Sequence, residues 1–235
     1  FDKHNYGYIN DQVIKHRDLI RMLLMKQDAF LTENNKIDLF TDGHKLYEKV
    51  LEDIYNAQDY IHLEYYTFEL DGLGKRILDA LETKLKEGLE VKLLYDDVGS
   101  KKVRLSKFKH FRALGGEVEA FFPSKVPLIN FRMNNRNHRK IIIIDGQIGY
   151  VGGFNVGDDY LGLGKLGYWR DTHTRVQGEC IDALQLRFIL DWNSQSHRPQ
   201  FKFDQKYFPK KNGDKGNAAI QIASSGPAFD LHQIE

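Results

Sequence analysis

Asn137-His138-Arg139-Lys140-Ile141-Ile142-Ile143-Ile144-Asp145-Gly146 reads as a strand with chemistry at its head. Four consecutive β-branched residues suit a buried strand, and Asp145-Gly146 closes them with a hairpin signal. Side chains alternate along a strand, so His138, Lys140, Ile142 and Ile144 share one face while Ile141 and Ile143 fill the other. Two apolar faces require a sheet covered on both sides. An imidazole and an ammonium then stand together at the rim of a rigid sheet, a pair suited to handling phosphate. The sequence continues through Gln147 to Val151 as the return strand, and reaches Gly152-Gly153-Phe154-Asn155.

Outward from this strand the chain alternates. Ile37 to Phe40 reads as a short strand, Leu46, Val50, Ile54 and Ala57 recur at helical spacing, and Tyr60 to Phe68 is aromatic and alternating. Ile77, Leu78, Leu81 and Leu85 mark a second helix and Glu90 to Tyr95 a further strand ending on Asp96-Asp97. A helix near Leu105 to Leu114 stops at Gly115-Gly116, and Val118 to Phe122 makes another strand. Thr172 to Val176 alternates like a strand, and Ile181 to Trp192 is the last clear helix. This order predicts an α/β domain with parallel pairing and helices on both faces. Residues 27–36 are polar and read as a loop.

Residues 11–26 form an amphipathic helix, with Val13, Ile20, Leu23 and Leu24 flanked by Lys15, Arg17, Arg21 and Lys26. It suits either a surface helix docked on the domain or a basic helix lying on lipid. Residues 126–133 are oddly apolar for a loop, which fits a cover over the core or a rim that meets lipid.

The 235 residues suffice for one large or two small domains with a sizeable core. A formal net charge of +1 gives little bulk attraction to nucleic acid or anionic membrane and disfavours a dedicated nuclease, for which a basic groove would be expected, so no nucleic-acid partner is expected. The lone cysteine, Cys180, excludes an intrachain disulfide framework and a cysteine-rich zinc site. Nine histidines show no recognisable metal spacing, so no metal is expected. No apolar run approaches the roughly 18 to 20 residues of a membrane-spanning helix. A start at Phe1 suggests a piece of something longer.

By residue type alone, His138 is either a structural histidine or a nucleophile. A neutral imidazole beside Lys140 can attack an electron-poor phosphorus while the ammonium holds its oxygens. Asn155 adds a side-chain amide, and the Gly152-Gly153 turn brings backbone N–H groups that can reach a phosphate.

The whole pattern resembles the HKD signature of the phospholipase D superfamily: His138-x-Lys140, four residues to Asp145, six more to Gly152-Gly153-x-Asn155. The blocks Ile61 to Tyr66, Leu93 to Ser100, Gly152 to Gly157 and Ser224-Ser225-Gly226-Pro227 resemble bacterial cardiolipin synthases of that type, in a firmicute, staphylococcal form. The resemblance covers most of residues 37–227.

It implies an α-β-α sandwich with a mixed, largely parallel sheet. The catalytic set would be His138, Lys140 and Asp145, with Asp145 serving the motif's architecture. Asn155 and Gly153 would bind phosphate. Asp171 is the candidate for orienting the imidazole, against the alternative of pairing with Arg170 or Arg175, and Glu64 is a second candidate.

The implied reaction moves a phosphatidyl group from one phosphatidylglycerol to His138 and then to the hydroxyl of another, giving cardiolipin and glycerol without metal or other cofactor. The alternatives are a phospholipase D-type hydrolase of phospholipid or nucleic acid, and a non-catalytic lipid-binding half. Family enzymes carry two such motifs and one is present here, so the chain is expected to need a second HKD domain. That domain would lie beyond residue 235 or on a second copy, and the chain alone is expected to be inactive. The resemblance also implies a bacterial cell membrane setting with the catalytic domain on the cytoplasmic side. The expected divisions are residues 1–35 as helix and connector with a membrane-facing alternative, 36–195 as the first HKD domain, 196–217 as a linker, and 218–235 as the start of a second domain.

Overall fold

A computed structural model of the chain describes residues 11–121, 136–165, 167–195, 201–212 and 216–224. The isoleucine strand is β5 (Lys140–Ile144), and it is fully buried along its length. The Asp145-Gly146 turn, with both residues at positive φ (54° and 60°), returns the chain as β6 (Ile148–Gly152). That conformation costs glycine nothing and aspartate little, which explains the pair.

Among the described residues, eight strands form one sheet. Besides β5 and β6 they are β1 (Leu31–Phe40), β2 (Tyr60–Tyr65), β3 (Glu90–Asp96), β4 (Glu117–Phe121), β7 (His173–Gly178) and β8 (Ala218–Gln221), in the order β4-β3-β2-β5-β6-β7-β1-β8. The helices are α1 (Asp11–Ile14), α2 (Arg17–Gln27), α3 (Gly43–Asn56), α4 (Gly72–Lys86), α5 (Lys109–Ala113) and α6 (Ile181–Gln195).

The two faces of β5 divide as the alternation requires. Ile142 and Ile144 join the core with Leu46, Val50, Ile77 and Leu81 of α3 and α4. Ile141 and Ile143 join the core with Ile181, Leu184, Phe188 and Trp192 of α6. Helices therefore cover both faces of a mixed α/β sheet.

Three expectations are corrected. The sheet is not largely parallel: β2–β3 and β3–β4 are parallel, whereas the other five pairings are antiparallel. Among the described residues, only α4 and α5 act as crossovers between neighbouring strands, and the hairpin and the β1–β7–β6 run reverse direction instead. Residues 31–36, polar from Thr32 onward and expected in a loop, lie in β1. Asn35 makes this possible, because its buried side chain donates to Thr32 and Ala218 carbonyls and accepts from Cys180 N–H. The helix expected near residues 105–114 is a 3-10 turn (Leu105–Phe108) followed by α5, ending at Gly115 with φ +97°.

Along α2, Ile20 is buried while Leu19, Met22 and Met25 are exposed. Gln221 of β8 donates to the Ile20 and Ala29 carbonyls, so α2 sits where β1 begins. Phe201 and Tyr207 pack into the α6 core, and β8 extends the sheet beside β1. Among the described residues, no helix is long and apolar enough to cross a membrane. The apolar stretch at residues 126–133 lies outside the described residues.

Candidate active site

The site lies at one end of the sheet, where β2 and β3 finish, β5 begins, and β6 hands over to the Gly-Gly turn. His138 is exposed and Lys140 is 2% exposed directly behind it. Lys140 Nζ donates to the His138 carbonyl oxygen at 2.8 Å and stands 3.1 and 3.2 Å from the two ring nitrogens. Partial burial and the Lys140 charge hold His138 below its ordinary pKa, against the pull of Asp96 and Asp171. Burial pushes Lys140 down to about 8, with Asp171 opposing. At neutral pH this leaves a neutral imidazole against a largely protonated ammonium, the protonation states a nucleophile and its electrostatic partner need.

Tyr66, just past β2, walls the pair. Its ring lies 4.6 Å from the His138 ring and 5.2 Å from Lys140 Nζ, and its N–H donates to the Arg139 carbonyl. Asp96, the last residue of β3, accepts from Val98 and Gly99 N–H with one oxygen and from Asn137 N–H with the other. It ties the turn before His138 to the sheet and adds a negative charge near the ring.

Asn155 is 5% exposed. Its Oδ1 accepts from Thr67 N–H at 3.0 Å and its Nδ2 donates to Tyr160 Oη at 2.6 Å. An amide nitrogen carries two hydrogens, and the second has no partner among the described residues.

Asp171 occupies the notch left by Gly153, where any Cβ would collide with the carboxylate. It accepts from Thr172 N–H and acts on His138 and Lys140 by charge. Of the two arginines expected as its alternative partners, Arg175 is bound instead by Asp53 and Asp38.

Three expected site residues need correction. Asp145 is not at the site. It caps the opposite end of β5, accepting from Gln58, Asp59 and Tyr60 N–H. Five residues of strand put it about 16 Å from Lys140. Gly153 is not an available donor, because its N–H is bonded to the Thr172 carbonyl; it serves as clearance for Asp171. Glu64 does not reach the imidazole. Its register partner is Ile141, so it faces α6, where it accepts from the Asn137 side chain.

Tyr66, Asp96 and Tyr160 were not singled out from the sequence. For the first two a signal was available: in α/β sheets, sites gather beyond the carboxyl ends of parallel strands, and these residues end β2 and β3. Tyr160 meets Asn155 through a loop fold that residue spacing does not encode. Among the described residues, no group of His, Cys, Asp and Glu is placed to hold a metal.

The family model described as "Cardiolipin synthase, PLD-like domain" matches residues 50–164. The whole chain is 99% identical to cardiolipin synthase 1 of Staphylococcus epidermidis, covering 48% of that protein. It is 77% identical to cardiolipin synthase 1 of Staphylococcus aureus, again covering 48%. The chain thus spans about half the length of these curated relatives. Among solved structures, Nuc from Salmonella typhimurium, a phospholipase D family member, aligns over 69% of this chain and 97% of that one, with a TM-score of 0.51 and 18% identity. This last likeness is one of fold.

Proposed function

The chain belongs to the phospholipase D-like cardiolipin synthase family, and on that premise we propose that it supplies one of the two HKD motifs of a phosphatidyltransferase. The observation that carries this reading is the exposed, neutral His138 backed by buried Lys140 at the sheet rim.

In the first step an imidazole nitrogen of His138 attacks the phosphorus of a phosphatidylglycerol. A P–N bond forms, the P–O bond to the headgroup glycerol breaks, and the departing oxygen takes a proton from a general acid in the second motif. In the second step the headgroup hydroxyl of another phosphatidylglycerol attacks the phosphohistidine. The P–N bond breaks, the hydroxyl proton returns to the same base, and cardiolipin leaves.

The Lys140 ammonium and the remaining N–H of Asn155 are aimed where phosphate oxygens gain charge. Asp171 and Asp96 favour the imidazolium character that develops as the ring donates its electrons. One phosphodiester replaces another, so no nucleotide or metal is needed to drive the exchange.

The second motif would come from the remainder of the longer protein or from a second copy. The first catalytic domain would be wider than the expected residues 36–195, because β1 begins at Leu31, its core takes in Phe201 and Tyr207, and β8 joins its sheet. With lipid substrates the reaction would take place at the bacterial cell membrane, and the catalytic domain would face the cytoplasmic side, as the family resemblance implies.

The test incubates the full-length protein with labelled phosphatidylglycerol, with and without His138→Ala, and separates cardiolipin from phosphatidic acid. Cardiolipin from the native protein and none from the variant is expected. Phosphatidic acid as the sole product would mean that water resolves the intermediate, and unchanged product from the variant would remove His138 from the mechanism.

A further inference from the structure

Behind the catalytic turn, on the α6 face of the sheet, lies a buried acid pair that the chemistry above does not use. Glu64 is 1% exposed and Asp191 is 4% exposed. Glu64 Oε1 accepts from Asn137 Nδ2. Asp191 is bound by two guanidinium groups, Arg139 Nη1 at 3.0 Å and Arg187 through Nε and Nη2 at 3.0 and 2.7 Å. Asn137 and Arg139 are the residues on either side of His138.

The turn itself closes through these same groups. Asn137 Oδ1 accepts from the Arg139 backbone N–H at 3.1 Å, an Asx turn around His138. An amide can present its oxygen to that N–H only if its nitrogen points the other way, and Glu64 is the acceptor waiting there. On the outer side, Tyr66 N–H holds the Arg139 carbonyl and Asp96 holds the Asn137 N–H. The peptide that carries His138 is thus gripped from both faces of the sheet.

Two acids this deep and this close cannot both be ionised without large cost. The two guanidiniums assign the charge to Asp191. The second oxygen of Glu64, Oε2, is buried with no hydrogen-bond partner among the described residues, a setting that disfavours a charge on it. Burial first, and then Asp191, hold the Glu64 carboxyl well above the usual carboxylate range, against Arg139 and Asn137.

We propose that Glu64 and Asp191 are positioning residues that fix Asn137 and Arg139 from below, and through them set the direction in which His138 points. The inference rests on His138 being the nucleophile. It differs from a direct imidazole-orienting role, because neither acid touches the ring and Glu64 acts as a neutral group.

The decisive comparison is Glu64→Gln against Glu64→Ala in the full-length protein. A glutamine keeps the acceptor for Asn137 and donates an N–H toward Asp191, so its kcat should stay within about two-fold of native. Alanine frees the Asn137 amide, and a nucleophile displaced by a fraction of an ångström should lose roughly ten- to a hundred-fold in kcat with KM nearly unchanged. Asn137→Ala, which leaves the acid pair in place, should reproduce that loss, and Glu64→Ala should add little on top of it. The imidazole resonances of His138 should shift in Glu64→Ala and stay put in Glu64→Gln.

A glutamine variant as impaired as the alanine variant would overturn the neutral-acid role. An alanine variant with native kcat would overturn the positioning role. If Glu64→Ala does not fold, the glutamine variant and Asn137→Ala still decide the matter by the same readings. Native activity in His138→Ala would instead sink the proposed function on which the inference stands.

Discussion

The two ends of β5 use the same five-residue strand for opposite purposes. At the Asp145 end every group is settled: the carboxylate collects three backbone N–H groups and locks the start of β2 to the hairpin. At the Lys140 end the groups are left wanting. An ammonium is buried against a neutral ring and held down to about 8, while the ring above it faces outward. His173, beside it in β7, is buried with neither ring nitrogen bonded among the described residues. One end is built to be stable and the other to be reactive, as the free-energy cost of a desolvated cation implies. The apolar run Ile141 to Ile144 between them isolates the two.

Substitutions at the two ends should therefore separate activity from stability. His138→Ala should reduce turnover by about 10⁴-fold or more while leaving the thermal midpoint nearly unchanged, since the ring is exposed. Lys140→Met should cost roughly 10²- to 10³-fold in turnover and leave stability unchanged or raised, because it removes a buried charge. A thermal melt set beside an initial-rate assay checks both; a Lys140→Met protein that unfolds easily would mean that the ammonium is structural.

Acidity tests the reactive end more gently. The proposed attack needs His138 neutral and Lys140 protonated. Single-turnover rates should rise as pH climbs through the lowered His138 pKa, hold through neutrality, and fall about ten-fold per unit above about 8. In Lys140→Met the alkaline limb should vanish.

Stability has its own dependence. Burial and the Lys140 charge depress His173 to about 3 from 6.5, so the unfolded chain binds the extra proton first. That contribution is complete above 6.5 and is lost as pH falls from there toward 3. Denaturant midpoints across this range should drop, and should drop less in a folded His173→Phe variant.

The smallest effect on rate belongs to the settled end. Asp145→Ala should lower stability by about 1–3 kcal/mol, from three freed N–H groups and a side chain poorly suited to φ 54°. Its turnover per folded molecule should stay native. A large loss of turnover at native stability would reinstate Asp145 as a participant in the reaction.

Residues that obey a period were legible before any coordinates. The alternation of Ile141 to Ile144 separated the isoleucines onto the two faces they occupy, and the same period put His138 and Lys140 together at the rim. Direction of pairing was not legible, because a strand reads the same whichever way its neighbour runs, and most of this sheet is antiparallel. Nor was β1 readable over residues 31–36. Its polar side chains are satisfied by β8 and by the turn at Cys180, partners far away in sequence. The site split along the same line. Lys140 and Asp171 act on His138, whereas Asp145, which follows the motif's strand in sequence, and Glu64, on a strand far away in sequence, point elsewhere in space. Asp191 lies on another helix and becomes visible only once α6 is laid across β5.

The most direct measurement is a rapid acid-free quench of the full-length protein with phosphatidylglycerol labelled in its phosphate, followed by peptide mapping. The expected result is a transient, acid-labile phosphoramidate on His138, forming faster than cardiolipin appears, absent in His138→Ala and retained per folded molecule in Asp145→Ala. Label on a histidine of a second motif, or sustained cardiolipin synthesis with no label on His138, would contradict the assignment of His138 as the nucleophile.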